Sequence, residues 1–302
     1  MSHPTRRAVL SGSAALAAGT LLPRPALAAR SSSAAAGPIL FSVKYPMVNA
    51  PESMAERFAM LKRVGFDGVE MESPNGYDEA EVLRISREVG LPVHGAVNSM
   101  HWGTRLSDPD AAVRAKAVAG LIEALRESHA MGGHSVLLVP GAVKGLNEDA
   151  AMVEERSIAG IRAALPEAAR LGVRILIENV WNRFLYDHDG GADQSAEALR
   201  EYLEKIDSPW VGSYFDIGNH RKYGRPEEWI RTLGRFVVKL DVKDWGVEGG
   251  WAKIGEGDVD WPKVREALGE IGFTGWATAE VGGGGEERML DIHARMTRAL
   301  RG

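Results

Sequence analysis

The chain has 302 residues, of which 45% are hydrophobic and 25% are charged, and its formal net charge is -5. These proportions are typical of a globular protein with enough apolar residues for a sizeable core. The mild negative charge argues against a nucleic-acid partner, which needs a basic surface to neutralise phosphates. The chain contains no cysteine. Disulfides and thiolate metal sites are therefore excluded, and any metal must be held by oxygen or imidazole ligands.

The N-terminal segment has the pattern of an export signal. Arg6 and Arg7 precede a short apolar run, which ends in the small-residue pattern Ala-Leu-Ala at 26–28. This arrangement resembles a twin-arginine signal peptide, so we predict that residues 1–29 are such a signal and residues 30–37 a linker. A disordered basic tail or a membrane anchor is the alternative. The prediction implies the twin-arginine export machinery as a partner, a periplasmic or secreted location, and no stable membrane anchor after cleavage.

Along the rest of the chain, short β-type runs alternate with longer helix-like runs. Eight such repeats are typical of a (β/α)₈ barrel. A doubly wound open sheet is the competing architecture, but no Gly-rich dinucleotide turn follows the first strand. We therefore predict a single α/β domain, a (β/α)₈ TIM barrel, over residues 38–302. The predicted strands are 39–43, 68–71, 92–97, 134–140, 173–179, 210–216, 236–244 and 275–281.

The seventh predicted strand, in the stretch FVVKLDVKDW at 236–245, carries apolar residues on one face and mostly charged residues on the other. In a (β/α)₈ barrel, helices cover the outer face of each strand, and the inner face lines the barrel below the active-site rim. The charged face is therefore the inner one. The alternation predicts that Phe236, Val238, Leu240 and Val242 point outward and that Val237, Lys239, Asp241 and Lys243 point inward.

The same alternation places an inward carboxylate at the end of each of the last four strands. Like charges at one rim cannot all ionise without compensation. A divalent cation among them is the predicted compensation, because an oxygen-rich site of this kind leaves positions open for a substrate. A lysine and carboxylate network without metal is the alternative. The four carboxylates are Glu178, Asp216, Asp241 and Glu280, and earlier strands add Glu70 and His94 on the inward face.

Several segments, among them ILIENVWN, YFDIGNHRKYG, VKLDVKDW and TGWATAEV, resemble in order and spacing the xylose-isomerase-like barrel superfamily. That group contains sugar isomerases and epimerases such as tagatose 3-epimerase and hydroxypyruvate isomerase. The resemblance covers nearly all of residues 38–300. It implies a metal, usually manganese, cobalt or magnesium, held in part by Glu178, Asp216 and Glu280, and a substrate contact from His220.

The chain departs from the family pattern at Asp241, where the family usually has a histidine of the motif His-x-Lys-Asp. A fourth oxygen ligand would favour Mg²⁺ or Mn²⁺ over Zn²⁺, with Co²⁺ also compatible. Alternatively, Asp241 pairs with Lys239 and the metal is weakly bound or lost. Both outcomes remain open at the level of sequence.

The resemblance implies proton abstraction next to a carbonyl group. Glu178 and Glu280 are then both ligands and the acid/base pair, and Lys243 joins His220 as a substrate contact. Tryptophans in the loops after the third and fifth strands, Trp102 and Trp181, could cover a sugar ring, as could Trp245 and Trp251 after the seventh. Glu70 and His94 complete the predicted substrate-binding residues.

The sequence therefore predicts an exported, divalent-metal-dependent sugar isomerase or epimerase. Its partner would be a small, unphosphorylated sugar or keto-sugar, because no phosphate-binding loop is visible. Two alternatives stay open: a lyase or hydrolase of keto-glycosides on the same site, and a non-catalytic periplasmic sugar-binding barrel. A homodimer through helix faces would be ordinary for such a barrel.

Overall fold

The computed structural model describes residues 37–302, and the predicted signal peptide and almost all of the predicted linker lie outside this range. Eight parallel strands of the described chain close into a barrel, which confirms the predicted (β/α)₈ fold. The barrel strands are β1 (Ile39–Lys44), β2 (Gly68–Ser73), β3 (Val93–Asn98), β4 (Ser135–Leu138), β5 (Arg174–Glu178), β6 (Val211–Asp216), β7 (Val237–Val242) and β10 (Gly275–Ala279). Strands β8 (Asp244–Gly246) and β9 (Gly250–Ala252) form a separate antiparallel hairpin.

Helices follow the strands around the outside of the barrel. Most begin at a side chain that accepts a hydrogen bond from the first helical turn, as Asp78 does from Glu81 N and Asp149 from Met152 N. The helices are α1 (Met54–Val64), α2 (Glu79–Val89), α3 (Ala111–Ala130), α4 (Ala150–Leu171), α5 (Glu197–Ile206), α6 (Ile217–Arg221), α7 (Pro226–Leu233), α8 (Trp261–Glu270) and α9 (Glu286–Arg301). Within residues 37–302, none of them combines the length and the apolar character needed to span a bilayer.

The main hydrophobic core lies between the outer face of the strands and the helices. Phe41, Ile175 and Leu240 are fully buried members of it. A second, smaller cluster of Leu137, Leu176 and Tyr214 fills the lower barrel interior. This division is the one that alternating strand residues predict.

Strand β7 departs from simple alternation at its start. Ser213 pairs with Val237, but the next residue, Tyr214, pairs with Lys239, so Val238 is an extra residue in β7. Val238 packs on the interior cluster and Val237 in the outer core. The predicted orientation of these two valines is wrong, because a β-bulge interrupts the two-residue period.

Above the bulge the predicted alternation holds. Leu240 and Val242 lie in the outer core, whereas Lys239 and Asp241 point into the barrel and contact polar side chains from other strands. Two of the charged residues of FVVKLDVKDW, Lys239 and Asp241, therefore lie inside the barrel, at two different heights.

The β8–β9 hairpin lies directly after β7, and one buried carboxylate fixes its base. Asp244 accepts hydrogen bonds from Gly255 N at 2.8 Å, from Val259 N at 3.2 Å and from Trp261 Nε1 at 2.9 Å. Asp244 begins β8, and these donors follow β9. The hydrogen bonds therefore join the two ends of the hairpin and hold it at the barrel rim.

Candidate active site

Four carboxylates converge at the carboxyl end of the barrel. Glu178 and Asp216 are the last residues of β5 and β6, Asp241 is the last but one of β7, and Glu280 follows β10 directly. One oxygen from each lies within 4.8 Å of those of the other three. The structure therefore brings together the four residues that the sequence predicts as the ligand set.

Two lysine ammonium groups lie among these carboxylates. Lys44 Nζ, at the end of β1, is 3.0 Å from Asp241 Oδ2 and 2.5 Å from Glu280 Oε1. Lys243 Nζ is 2.6 Å from Asp216 Oδ2 and also contacts Glu280 Oε2. Each lysine thus bridges two carboxylates, and Glu280 is shared by both.

The donor set fits a hard divalent cation. Asp241 Oδ1 and Asp216 Oδ2 are buried without a hydrogen-bond donor of adequate geometry, although Lys243 Nζ lies at ion-pair distance from the second of these oxygens. Leaving a buried carboxylate oxygen without a donor is costly, and a cation removes that cost. An all-oxygen cluster suits Mg²⁺ or Mn²⁺. The cluster could therefore bind a metal, which would share its oxygens with the two lysines.

The two glutamates differ in their ionisation. Burial, followed by repulsion from Glu280, raises the pKa of Glu178 to about 8. Burial also opposes the ionisation of Glu280, but Lys44 and Lys243 together outweigh it and lower the pKa of Glu280 to about 2. At neutral pH the metal-free pair is therefore a protonated Glu178 beside an ionised Glu280, as an acid and a base require.

The aspartates respond mainly to burial. Burial raises the pKa of Asp216 to about 6 against the attraction of Lys243. It also raises the pKa of Asp241 well above its usual range, against the attraction of Lys44. The cluster therefore holds protons that a bound cation would displace.

A cavity of about 720 Å³ opens above the cluster. Both glutamates and both lysines form its floor, and Trp102 and Trp181 contribute aromatic side chains to its lining. A cavity of this volume accommodates a small polar molecule such as a monosaccharide. Of the predicted substrate-binding residues, the structure places Lys243, Trp102 and Trp181 at this cavity.

His101 also lines the cavity and is buried. Its Nδ1 accepts a hydrogen bond of 3.1 Å from Val139 N, so the ring proton is assigned to Nε2. Burial lowers the pKa of His101 to about 3, with a further contribution from Lys44. His101 is therefore a neutral histidine with an Nε2–H donor available at the cavity.

Asn219, and not His220, is the residue of helix α6 that reaches the cavity. Asp216 Oδ1 accepts a hydrogen bond of 2.7 Å from Asn219 N and begins the helix. The Asn219 amide donates to Asn179 O at 3.0 Å and lies 3.4 Å from Glu178 Oε1. Successive helical residues point about 100° apart, which turns the next side chain away from the cavity.

His220 is buried in an aromatic cluster instead. Its ring centroid is 3.9 Å from that of Trp229, and its Nδ1 lies 3.3 Å from Tyr186 OH. Burial lowers its pKa well below the usual range. The structure thus places the predicted substrate contact behind the cavity wall.

Glu70 and His94, also predicted as substrate-binding, lie beneath the cavity and do not line it. They belong to a buried polar network in the barrel interior. We call this network the lower layer; its members are Ser42, Glu70, His94, Tyr214, Lys239 and Thr278.

Hydrogen bonds connect the lower layer across the barrel. Lys239 Nζ lies 2.5 Å from His94 Nδ1 and donates to His94 O at 2.9 Å. His94 Nε2 is 2.8 Å from Ser42 Oγ, which is 2.8 Å from Thr278 Oγ1. Lys239 is thus held by His94. The expected alternative of an Asp241–Lys239 pair is wrong, because Asp241 pairs with Lys44 at the rim.

The other half of the lower layer centres on Tyr214. Its hydroxyl donates to Glu70, 3.1 Å from both carboxylate oxygens, and lies 2.6 Å from Thr278 Oγ1. Burial raises the pKa of Glu70 and lowers that of Lys239 to about 8. The network therefore fills the barrel below the cavity with paired polar groups.

The cavity residues that the sequence analysis missed include Lys44, His101 and Asn219. The first was detectable, because Leu40, Ser42 and Lys44 continue the inward alternation of β1 by one residue. His101 and Asn219 lie on a loop and a short helix, where no two-residue period applies. Their positions depend on tertiary contacts.

The closed (β/α)₈ barrel defines the structural class to which this protein belongs: TIM-barrel proteins, here with a charged cavity at the carboxyl ends of the strands. Residues 58–300 match the family model described as xylose isomerase-like TIM barrel. The chain belongs to this family.

Several proteins similar to this chain are named as sugar epimerases. L-ribulose-5-phosphate 3-epimerase UlaE of Escherichia coli is 26% identical over 273 residues, covering 83% of this chain and 92% of its own. The structure of D-allulose 3-epimerase from Methylomonas sp. in complex with D-allulose has a TM-score of 0.66 at 20% identity, covering 82% and 86%. A structure of L-ribulose 3-epimerase has a TM-score of 0.70 at 18% identity, covering 87% and 95%.

Proposed function

We propose that this protein is a carbohydrate epimerase or isomerase that moves a proton at the carbon next to a carbonyl group. The observation that carries the proposal is the Glu178/Glu280 pair at the cavity floor, one protonated and one ionised, beside two lysine ammonium groups. The sugar epimerases similar to this chain support the same class of reaction.

In this mechanism Glu280 takes the proton from the carbon next to the carbonyl. The electron pair of the broken C–H bond moves to the carbonyl oxygen and forms an enediolate. Lys44 and Lys243 stabilise this negative charge, and the Nε2–H of His101 and the amide of Asn219 can donate hydrogen bonds to substrate oxygens. Glu178 then returns a proton to carbon, and the two glutamates exchange roles in the reverse direction.

Glu178, Asp216, Asp241 and Glu280 would hold a divalent cation, for which we propose Mg²⁺ or Mn²⁺ because all four ligands are carboxylates. When bound, such a cation supplies Lewis-acid stabilisation of a substrate oxygen. Bound metal would also require the lysines to loosen their contacts with Asp241 and Asp216.

We propose an unphosphorylated sugar as the substrate. The lysines that line the main cavity are Lys44 and Lys243, and both lie among the carboxylates where the proton is moved. Among residues 37–302, no other lysine or arginine lines this cavity to pair with a phosphate at the far end of a sugar. Export by the twin-arginine route, as the N-terminal sequence predicts, would fit this choice, because phosphorylated sugars are mainly intracellular metabolites.

The test is a turnover panel in deuterated water, with and without added Mg²⁺ or Mn²⁺. Unphosphorylated ketoses such as D-fructose, D-tagatose and L-ribulose are compared with L-ribulose 5-phosphate. Deuterium incorporation next to the carbonyl, with an epimeric or isomeric product of unchanged connectivity, supports the proposal. A product of lower mass indicates a lyase instead, and stabilisation by a sugar without exchange indicates a binding protein. Preference for the phosphate overturns the substrate class.

A further inference from the structure

A second cavity, of about 510 Å³, adjoins the first. Lys243 and Glu280 line both cavities, so the second space begins at the catalytic floor. Its other walls come from the β8–β9 hairpin, through Trp251, from Lys253 directly after it, and from the glycine-rich loop after β10, through Gly282. A ligand that reacts at Glu280 can therefore extend into this space.

Trp251 forms the aromatic wall of the second cavity, and 53% of it is exposed. It is held by two other tryptophans: its ring stacks on Trp181 at 5.2 Å and 12°, and meets Trp245 edge-on at 4.9 Å and 87°. The hairpin that carries it is anchored through Asp244. An exposed indole held in a fixed orientation is suited to contact the apolar face of a sugar ring.

The basic groups of the second cavity favour a neutral ligand over an anion. The Arg288 guanidinium is already bonded to Asp291 Oδ2 at 2.5 Å and to Gly282 O at 2.9 Å. Lys243 contacts Asp216 and Glu280. Only Lys253, which is exposed, has no carboxylate partner among the described residues, and one exposed lysine is a weak site for a phosphate.

We propose that the second cavity is a subsite for a second sugar ring, so that the substrate is a keto-sugar linked through a non-anomeric hydroxyl to a pyranose that contacts Trp251. The keto-sugar occupies the main cavity, where Glu178 and Glu280 act on it. This inference rests on the proposed function and narrows its substrate class.

The test compares isomaltulose, in which a glucosyl group is attached to O6 of fructose, with D-fructose itself. Both sugars have a free keto group, so deuterium exchange next to the carbonyl reports turnover of each in the same assay. We expect a kcat/KM for isomaltulose about tenfold above that for fructose, since one aromatic contact supplies up to roughly that factor. Trp251→Ala should lower the isomaltulose-to-fructose ratio about tenfold.

A second variant tests whether the ligand needs the volume of the second cavity. A Cβ on Gly282 would meet no atom within 4 Å, and Gly282 lines the second cavity but not the first. Gly282→Phe should therefore fill the subsite and lower the same ratio about tenfold. Gly249→Phe is the matched control, because Gly249 also faces open space and lines neither cavity. It should leave the ratio unchanged.

A binding measurement separates failure of the subsite from failure of the proposed function. Tryptophan fluorescence is titrated with isomaltulose in wild type, Trp251→Ala and Gly282→Phe. The subsite is overturned, and the function stands, if the protein exchanges deuterium into fructose but shows no preference for isomaltulose. In that case kcat/KM is equal for the two sugars, and all three proteins bind isomaltulose with equal affinity. No exchange with either sugar, with tighter isomaltulose binding in wild type than in the variants, overturns the function and supports the subsite. Preference for L-ribulose 5-phosphate that Gly282→Phe abolishes also overturns the sugar assignment.

Discussion

The barrel interior contains two polar regions at different heights, and they differ in how completely their groups are paired. In the lower layer, His94, Tyr214 and Glu70 all have hydrogen-bond partners. At the rim, Asp241 Oδ1 is buried without a hydrogen-bond donor, and Asp216 Oδ2 has only the ion pair with Lys243. Fully paired buried groups stabilise a structure, whereas incompletely paired ones are kept where a ligand completes them. The comparison therefore predicts that the lower layer stabilises the barrel and that the rim carboxylates bind a ligand.

The largest expected effect is a loss of turnover when a carboxylate at the rim is changed. Glu280→Gln removes the ionised base and the partner shared by both lysines. Turnover in the exchange assay should fall by about 10³-fold or more, as for loss of a catalytic acid or base. Thermal unfolding of the variant is the control. Near-normal exchange from a folded Glu280→Gln protein would remove Glu280 from the mechanism.

In the lower layer we expect a substitution to lower stability and to leave turnover nearly unchanged. Tyr214→Phe leaves Glu70 and Thr278 without the hydroxyl that lies 3.1 Å and 2.6 Å from them. The free energy of unfolding should fall by about 1–3 kcal/mol, the cost of leaving buried groups unpaired. Denaturant unfolding measures this loss. Turnover per folded molecule should stay within a few-fold of wild type, and a loss as large as that of Glu280→Gln would erase the distinction between the two regions.

A smaller effect tests whether the rim lysine competes with metal. Lys44→Met removes the ammonium that contacts Asp241 and Glu280, so these oxygens become available to a cation. The Kd for Mn²⁺, measured by isothermal titration calorimetry, should decrease about tenfold. Lys62→Met, at an exposed position on α1, is the control. An unchanged or weaker affinity in Lys44→Met would mean that Lys44 does not compete for these oxygens.

The smallest expected effect is a dependence of stability on pH. The pKa of Glu178 is raised in the folded state to about 8 from an ordinary value of 4.5. The folded state therefore holds the extra proton between these values, and the contribution of Glu178 to stability is present at low pH and lost as pH rises through 8. In chelator, wild type should lose about 1 kcal/mol of stability between pH 7 and 8 relative to Glu178→Gln. Parallel unfolding curves for the two proteins would contradict the raised pKa.

Much of this comparison was predictable from the sequence. The alternation along β5, β6, β7 and β10 identified four inward carboxylates, because side-chain direction in a strand has a fixed period. The bulge at Val238 was not predictable, since it arises from pairing with β6. His220 was assigned to the cavity from its position in the family-like motif. The position of His220 depends on how Asp216 begins helix α6, and the two-residue period of the strands does not predict this.

The height of each polar residue was also beyond the sequence. Glu70, His94 and Lys239 share the inward face with Asp241, and only the stagger of neighbouring strands determines which of them meet the cavity. Lys44 shows the opposite case, because extending the alternation of β1 by one residue would have found it.

The anchoring of the hairpin by Asp244 has a consequence for how the protein can change. Asp244 holds Gly255 and Val259 through their backbone N–H groups, so the anchor makes no demand on the side chains of residues 246–253. Exposed positions of that segment, such as Val247, can accept substitutions while the barrel and its carboxylates stay as they are. New ligand preferences can then evolve at the rim without loss of the hydrogen bonds that anchor the hairpin.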